Sequence, residues 1–217
     1  MGMSKRNISI KIGIIDYGMG NIMSIKNALI HLDFDRINLI SNPQDFKDTD
    51  LIIIPGVGAF SDAMRNLKKQ SLLEPLNKFV LHKKKPALGI CLGMQLLLDY
   101  SYEGEGAKGL GWLKGEVKRL EIDRSLSVPH MGWNNLKIKN DSSLFEGISN
   151  EDDFYFVHSY HANISQEYII AECDYGGLFP AAIGLENILG FQFHPEKSQT
   201  KGLRLLSNSL TFLKQYA

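Results

Sequence analysis

Two short stretches of the 217-residue chain carry side chains that could do nucleophilic chemistry together. In Leu88-Gly-Ile-Cys91-Leu-Gly-Met-Gln95 a cysteine ends an apolar run of strand type, with a glycine two residues away on each side and a helical run over 94–98 behind it. This is the pattern of a strand-to-helix corner, which lifts a nucleophile to the first turn of a helix, where free N–H groups favour a thiolate. The backbone N–H of Leu92 would then face the oxygen of an attacked carbonyl. Such a thiol needs a base. His194 stands apart among the six histidines because it ends the strand pattern Leu189-Gly-Phe-Gln-Phe and is followed by Pro195 and Glu196. Residues i and i+2 of an extended segment face the same way, so Glu196 is placed to hold the His194 ring by one nitrogen while the other reaches Cys91. Cys173 has no such setting and reads as an inert buried thiol.

A third element is Ile54-Pro-Gly-Val57-Gly58-Ala-Phe60, a Gly-rich loop after a buried strand. Standing alone it is a tight turn. In a parallel sheet, loops of this kind gather at the C-terminal edge beside the corner, where the N–H of Val57 or Gly58 could complete an oxyanion hole. Gly18-Met-Gly20 lacks the third glycine of a dinucleotide fingerprint, and His158 and His161 have no further ligands near them, so neither a nucleotide cofactor nor a metal is expected.

The surrounding pattern explains what positions these groups. Apolar runs over 8–15, 37–40, 51–54 and 86–90 read as buried strands, with helical spacing over 22–32, 62–67 and 72–81 between them. That order argues for a parallel sheet with helices on both faces. Beyond Gly104 closely spaced strands are expected over 115–120, 136–138, 154–158, 168–172, 181–185 and 188–193, forming an antiparallel layer attached to the parallel sheet. A last amphipathic helix from about Gly202 puts Leu203, Leu206, Leu210 and Leu213 on one stripe. With no repeat, low-complexity tract or linker, the chain reads as one α/β domain over 1–217.

Composition excludes several functions. Hydrophobic residues make up 44% and charged residues 22%, with 24 Lys+Arg against 24 Asp+Glu, so nothing electrostatic favours nucleic acid or an acidic membrane. No apolar stretch approaches the roughly 20 residues that span a bilayer. The start Met1-Gly-Met-Ser-Lys-Arg has no signal-peptide core, and Arg6 spoils the acylation pattern at Gly2. Two cysteines without secretory context fit reduced thiols of a cytoplasmic protein.

Taken together, Gly89-Ile-Cys91-Leu-Gly93-Met-Gln95 and His194-Pro-Glu196 resemble the signatures of the class I, triad-type glutamine amidotransferases. The resemblance covers nearly the whole chain. Asp16-Tyr-Gly-Met-Gly-Asn21, Pro129-His-Met-Gly-Trp-Asn134, Tyr155-Phe-Val-His-Ser-Tyr160, Asp174-Tyr-Gly-Gly177 and Phe191-Gln-Phe-His-Pro-Glu-Lys-Ser198 narrow it to the glutaminase subunits that serve the imidazole-forming step of histidine biosynthesis. The resemblance implies a flavodoxin-like sheet and no cofactor. It further implies attack of Cys91 on the side-chain amide of glutamine, proton transfer by His194 and orientation by Glu196. Gly58, Gln95, Glu103, Ser159 and Tyr160 fall where the family holds glutamine, with Glu105 as a rival to Glu103.

Ammonia in neutral water is mostly protonated and not nucleophilic, so its delivery needs a dry route. The triad and its sheet occupy the chain from Ile12 to Glu196, which leaves the acceptor site to a second polypeptide. In the family that partner is a (β/α)8-barrel cyclase with an ammonia channel. By this resemblance its docking side here includes Asn21, Met131, Trp133, Tyr155 and Lys197, with Trp133 in a Gly-flanked loop as anchor. A paralogous subunit serving amidination of a bacterial nucleotide sugar is the alternative. Amidotransferases of GMP, anthranilate or pyridoxal phosphate synthesis, a catalytically silent binding subunit and a thiol hydrolase stand further off.

Overall fold

The computed structural model describes residues 10–122, 126–139 and 142–217. The amino-terminal segment and the first two residues of the expected 8–15 strand lie outside the described residues. In the first half, β1 (Ile12–Ile15), β2 (Ile37–Ile40), β3 (Leu51–Ile54) and β4 (Ala87–Ile90) alternate with α1 (Ile22–His31), α2 (Phe60–Lys69) and α3 (Leu73–Asn77), and α4 (Leu92–Leu96) follows β4 at once. The second half holds β5 (Tyr100–Ser101), β6 (Ala107–Lys108), β7 (Gly115–Arg119), β8 (His130–Asn135), β9 (Lys137–Ile138), β10 (Asp153–His158), β11 (Tyr160–Ile164), β12 (Ile169–Asp174), β13 (Leu178–Leu185) and β14 (Ile188–Phe191). It closes with α5 (Gln199–Leu213).

The main sheet has eight strands in the order β2-β1-β3-β4-β14-β13-β12-β9. Pairing is parallel from β2 through β14 and antiparallel from β14 to β9. Period-two alternation divides its side chains between two cores. Leu51 and Ile53 of β3 pack with α1 and α5 through Ile25, Leu29, Leu206 and Leu210. Ile52 and Ile54 pack on the other face with Phe60, Leu67, Leu76 and Met94 of α2 to α4. Both faces are covered, which is why these strands read as unbroken apolar runs instead of alternating ones.

Helix boundaries follow local chemistry. Asn21 Oδ1 accepts a hydrogen bond from Ser24 N and opens α1, after Gly20 turns the chain at φ +126°. The helix expected over 72–81 is α3 followed by a π-helical turn over Lys78–His82. On α5, Leu205, Leu206, Leu210 and Leu213 are buried while Leu203 is only half-buried, so the buried stripe lies slightly around the helix from the expected one.

The antiparallel part differs from the single layer expected. Strands β13, β12 and β9 extend the main sheet; β11-β7-β5-β6 form a separate sheet, and β10-β8 form a two-stranded ribbon. The expected run over 115–120 ends as β7 at Arg119, and the run over 188–193 stops as β14 at Phe191. Strands β8 and β11 had no sequence signal, because His-Met-Gly-Trp-Asn-Asn and Tyr-His-Ala-Asn-Ile lack an apolar alternation. Cross-strand partners make them strands: β8 pairs along its whole length with β10, Trp133 opposite Tyr155 and His130 opposite His158. Trp133 therefore stands on a strand, not in a loop.

Candidate active site

The carboxyl ends of four adjacent parallel strands deliver the site. In sheet order, β1 leads into Tyr17, β3 into the Pro55–Gly58 loop, β4 into Cys91, and β14 runs on through Gln192 to His194. In an open α/β sheet the crevice at the carboxyl edge is where ligands bind.

Cys91 itself makes the corner. Its backbone sits at φ +54° and ψ −111°, a region L-residues rarely occupy and that costs about 1–3 kcal/mol. The flanking glycines do not carry the unusual dihedral; they provide space. A Cβ on Gly89 would lie 2.6 Å from Gly93 O, and one on Gly93 would strike Ile54 O. The corner is held by Cys91 N donating to Phe191 O at 2.7 Å, and Met94 N and Gln95 N both donate to Cys91 O. With five residues, α4 is short, so its free first-turn N–H groups, Leu92 N among them, matter more here than a macrodipole. In its neutral form the thiol donates to Val157 O at 3.8 Å, and Gln192 Nε2 donates to Sγ at 3.9 Å.

His194 is buried, with its Nδ1 2.9 Å from Glu196 Oε1. The carboxylate accepts this bond, so Nδ1 carries the proton, while Nε2 is buried with no hydrogen-bond partner and is the nitrogen left to act on Cys91 and the substrate. The approach is not that of an extended segment. His194 is extended at φ −103°, but Pro195–Lys197 form a 3₁₀ turn that brings the Glu196 carboxylate back under the ring. Ser198 braces the turn: its Oγ donates to His194 O at 2.6 Å and accepts from Tyr155 N at 2.9 Å. Burial disfavours the imidazolium, yet hydrogen bonds and charge from Cys91 and Glu196 outweigh it and raise the pKa of His194 to about 9. The ring is therefore protonated at neutral pH, the state that pairs with a thiolate and can protonate a leaving amine.

Cys91 opens on a cleft of about 350 Å³. All the residues assigned to substrate from the sequence line it: Gly58, Gln95, Glu103, Ser159 and Tyr160. So do the three oxyanion candidates Val57, Gly58 and Leu92. Gly58 has φ +106°, and Val57 is 40% exposed. Tyr17 OH donates to Pro55 O and fixes the first peptide of this loop, and a Cβ on Gly56 would press on Leu92 and on that hydroxyl. Burial and the neighbouring Cys91 raise the Tyr17 pKa, so the phenol stays protonated and remains a donor. Glu103 and Glu105 are told apart: Glu103 lines the cleft and its Oε2 accepts from Phe60 N at 2.8 Å, at the start of α2, whereas Glu105 is exposed and outside it.

The docking candidates fall into two groups. Met131 and Trp133 on β8 are 62% and 46% exposed, large apolar surfaces on one ribbon. Trp133 stacks edge-on against Tyr155, whose ring lies 6.4 Å from that of His194, and Lys197 Nζ sits 5.9 Å over Tyr155. Asn21, in contrast, uses its side chain to cap α1. Sequence reasoning missed Tyr17, Gln192 and the contact between His130 and His158; the last pair meets at 3.1 Å only because β8 and β10 align them. Among the described residues no group of three or more His, Cys, Asp or Glu could hold a metal ion.

Comparison with known proteins gives the family and the fold. The family model for glutamine amidotransferase class-I matches residues 13–212. The chain is similar to imidazole glycerol phosphate synthase subunit HisH 2 of Vibrio vulnificus, 46% identical over 94% of this chain and 95% of that one. It is likewise 46% identical to subunit HisH of Methanocaldococcus jannaschii, over 93% of this chain and all of the other. Among solved structures, a crystal structure of a glutamine amidotransferase superposes with TM-score 0.71 at 19% identity, covering 94% of this chain and 98% of that one. PurLQS from Thermotoga maritima superposes with TM-score 0.70 at 18% identity, covering 94% and 99%. At such identities these two speak to the fold.

Proposed function

The chain belongs to the class I glutamine amidotransferases, and on that premise we propose that Cys91, His194 and Glu196 carry out its glutaminase reaction. The enzyme releases ammonia from glutamine as the glutaminase subunit in imidazole glycerol phosphate synthesis, a step of histidine biosynthesis, beside a cyclase partner. The relatives favour this role over the nucleotide-sugar paralogue.

One observation carries the proposed chemistry: a cysteine held at positive φ on a strand-to-helix corner, beside an imidazole whose charge is favoured by that cysteine and by a buried carboxylate. Sγ, as the thiolate, attacks the side-chain carbonyl carbon of glutamine. The negative charge moves to the carbonyl oxygen, where Leu92 N–H and an N–H of Val57 or Gly58 meet it. His194 gives its Nε2 proton to the amide nitrogen as the C–N bond breaks, which frees ammonia and leaves a thioester. The same nitrogen then takes a proton from water, whose hydroxide cleaves the thioester to glutamate and restores the thiolate. Glu196 holds the ring throughout. Gln95, Ser159 and Tyr160 provide polar contacts for the substrate, and Glu103 is positioned for its ammonium.

For the partner we propose a (β/α)8 barrel docked on the Met131–Trp133 ribbon, with Tyr155 and Lys197 joining that face to the catalytic turn. Two buried thiols, unpaired in this structure, suit a reducing cytoplasm. The decisive experiment uses the complex with the cyclase. Cys91→Ala abolishes glutamate release while turnover with added ammonium salts persists; glutamate release at the parental rate would remove the nucleophile assignment.

A further inference from the structure

Gln192 takes no part in the reaction as written above, yet it is the fully buried polar residue nearest in sequence to the catalytic imidazole and one of its amide groups faces the nucleophile. Its backbone is fixed, because Gln192 N donates to Ala181 O at 2.9 Å and so ties the residue to β13. The polar side-chain contacts have a single consistent orientation. Tyr160 O is a backbone carbonyl and can only accept, so the amide nitrogen of Gln95 must face it, at 2.9 Å. The second N–H of Gln95 then points at Gln192, which must turn its oxygen towards it, at 3.1 Å. Once Oε1 is committed, Nε2 of Gln192 is the atom left to face Cys91 Sγ, at 3.9 Å. One carbonyl on β11 thus sets the direction of two amides and ends at the sulfur.

We propose that Gln192 is a positioning residue with two functions: its amide N–H steadies the negative sulfur of Cys91, and its carbonyl locks the Gln95 amide with the oxygen turned to the cleft. Both N–H groups of Gln95 are used within the protein, so Gln95 offers bound glutamine an acceptor and nothing else. That selects for a donor on the substrate. A donor to an ionised sulfur favours the charged form, and the attacking thiolate is the form it would stabilise. This inference rests on Cys91 as nucleophile and on Gln95 as a group of the substrate cleft.

The test uses the full chain in complex with its cyclase and two variants. Gln192→Met conserves volume and removes both donor and acceptor. Gln192→Glu keeps an acceptor for Gln95 but turns an oxygen, not an N–H, towards Sγ. Three quantities are read: kcat and KM for glutaminase, the pH profile of iodoacetamide alkylation at Cys91 followed by peptide mass, and protection of Cys91 by glutamine. For Gln192→Met, KM rises about tenfold and the alkylation midpoint moves up by about one pH unit, the effect of losing one hydrogen bond to a charged group. For Gln192→Glu, KM stays near that of the parent while the midpoint still moves up. A structural role alone would lower activity in both variants with the profile and KM unmoved, and that result overturns the proposal. If the Met variant does not fold, the Glu variant decides alone, since an unshifted midpoint there also overturns it. If glutamine fails to protect Cys91 in the parent enzyme, the reading of the cleft falls, and this inference with it; that outcome is recognised before any variant is made.

Discussion

His130, His158 and His194 are all buried, and the sheet edge and the β8–β10 ribbon treat them in opposite ways. At the sheet edge His194 has a thiol on one side and a carboxylate on the other, and its pKa is raised to about 9. On the ribbon, burial lowers the pKa of His158 to about 3, with His130, His161 and His194 adding to the effect, and burial alone lowers that of His130 to about 4. Burial is common to all three. The neighbours differ: His130 lies between Tyr175 and Phe156, ring centroids 4.0 and 4.8 Å away, and its side-chain hydrogen bond is to another imidazole, not to a carboxylate. A buried imidazole keeps its proton only where an anion compensates the lost hydration. The edge is built to hold charge and the ribbon to hold shape.

The sharpest way to break this contrast is to remove the anion. Glu196→Gln leaves an amide of the same size beside Nδ1 but takes away the charge, so His194 should behave more like the ribbon histidines. Glutaminase turnover is expected to fall about 10²-fold, the lower end of what a placed general acid contributes. In the parent, activity is expected to decline on the alkaline side with an apparent pKa near 9 as His194 loses its proton; in the variant that limb moves to lower pH. A pH–rate profile of kcat/KM checks both, and an unmoved alkaline limb would separate Glu196 from the charge on His194.

A second prediction concerns the outer face of the ribbon. Trp133→Ala should weaken binding of the cyclase about 30-fold, the effect of losing a central aromatic anchor worth about 2 kcal/mol, while basal glutamine hydrolysis by the free chain changes little. Titration of labelled cyclase measures it. A smaller effect is expected where the edge is held by one neutral hydrogen bond: Tyr17→Phe leaves Pro55 O buried without its donor and should lower stability by about 1–3 kcal/mol in urea denaturation. Unchanged stability would show that the loop finds another donor.

How legible these regions were in the sequence follows the same division. Cys91, the Pro55 loop and His194-Pro-Glu196 were readable because each lies at the end of a buried parallel strand, and strands covered on both faces announce themselves as apolar runs. The parallel order then gathers their ends without further information. The ribbon was not readable. Strand β8 has alternating burial but few residues with strand preference, and only its register with β10 sets His130 against His158. Such pairing is fixed by residues far apart in the chain, which a local pattern cannot carry. The same holds for Tyr17 and Gln192, whose roles depend on partners 38 and 97 positions away. The 3₁₀ turn at Pro195 shows a milder case: the His–Glu contact was foreseen, but by the wrong backbone geometry, because proline at the first position of a turn was read only as a stiffener of extended chain.

The neutral pair on the ribbon gives the smallest effect and the one that tests shape against charge most directly. His158 Nδ1 faces Tyr160 O at 2.9 Å and must donate to it, so His158 Nε2 accepts and His130 Nδ1 donates across the 3.1 Å contact. Both rings are held neutral in fixed tautomers. Their folded pKa values, about 4 and about 3, lie below the ordinary value of 6.5, so between these limits the unfolded chain binds protons that the native protein refuses. Stability from this pair is full above pH 6.5, falls as pH drops, and stops falling once the native rings protonate near 4 and 3. The His194 contribution has the opposite sign: raised to about 9, it is fully present below pH 6.5 and is lost as pH rises through 9. Urea denaturation of the parent between pH 7.5 and 5.0 should therefore show a loss of stability, and His130→Phe, which keeps an aromatic ring between Tyr175 and Phe156 but cannot titrate, should lose less over the same interval. An equal loss in both proteins would mean that the ribbon pair is not what refuses the proton, and that packing around His130 does not distinguish the two regions.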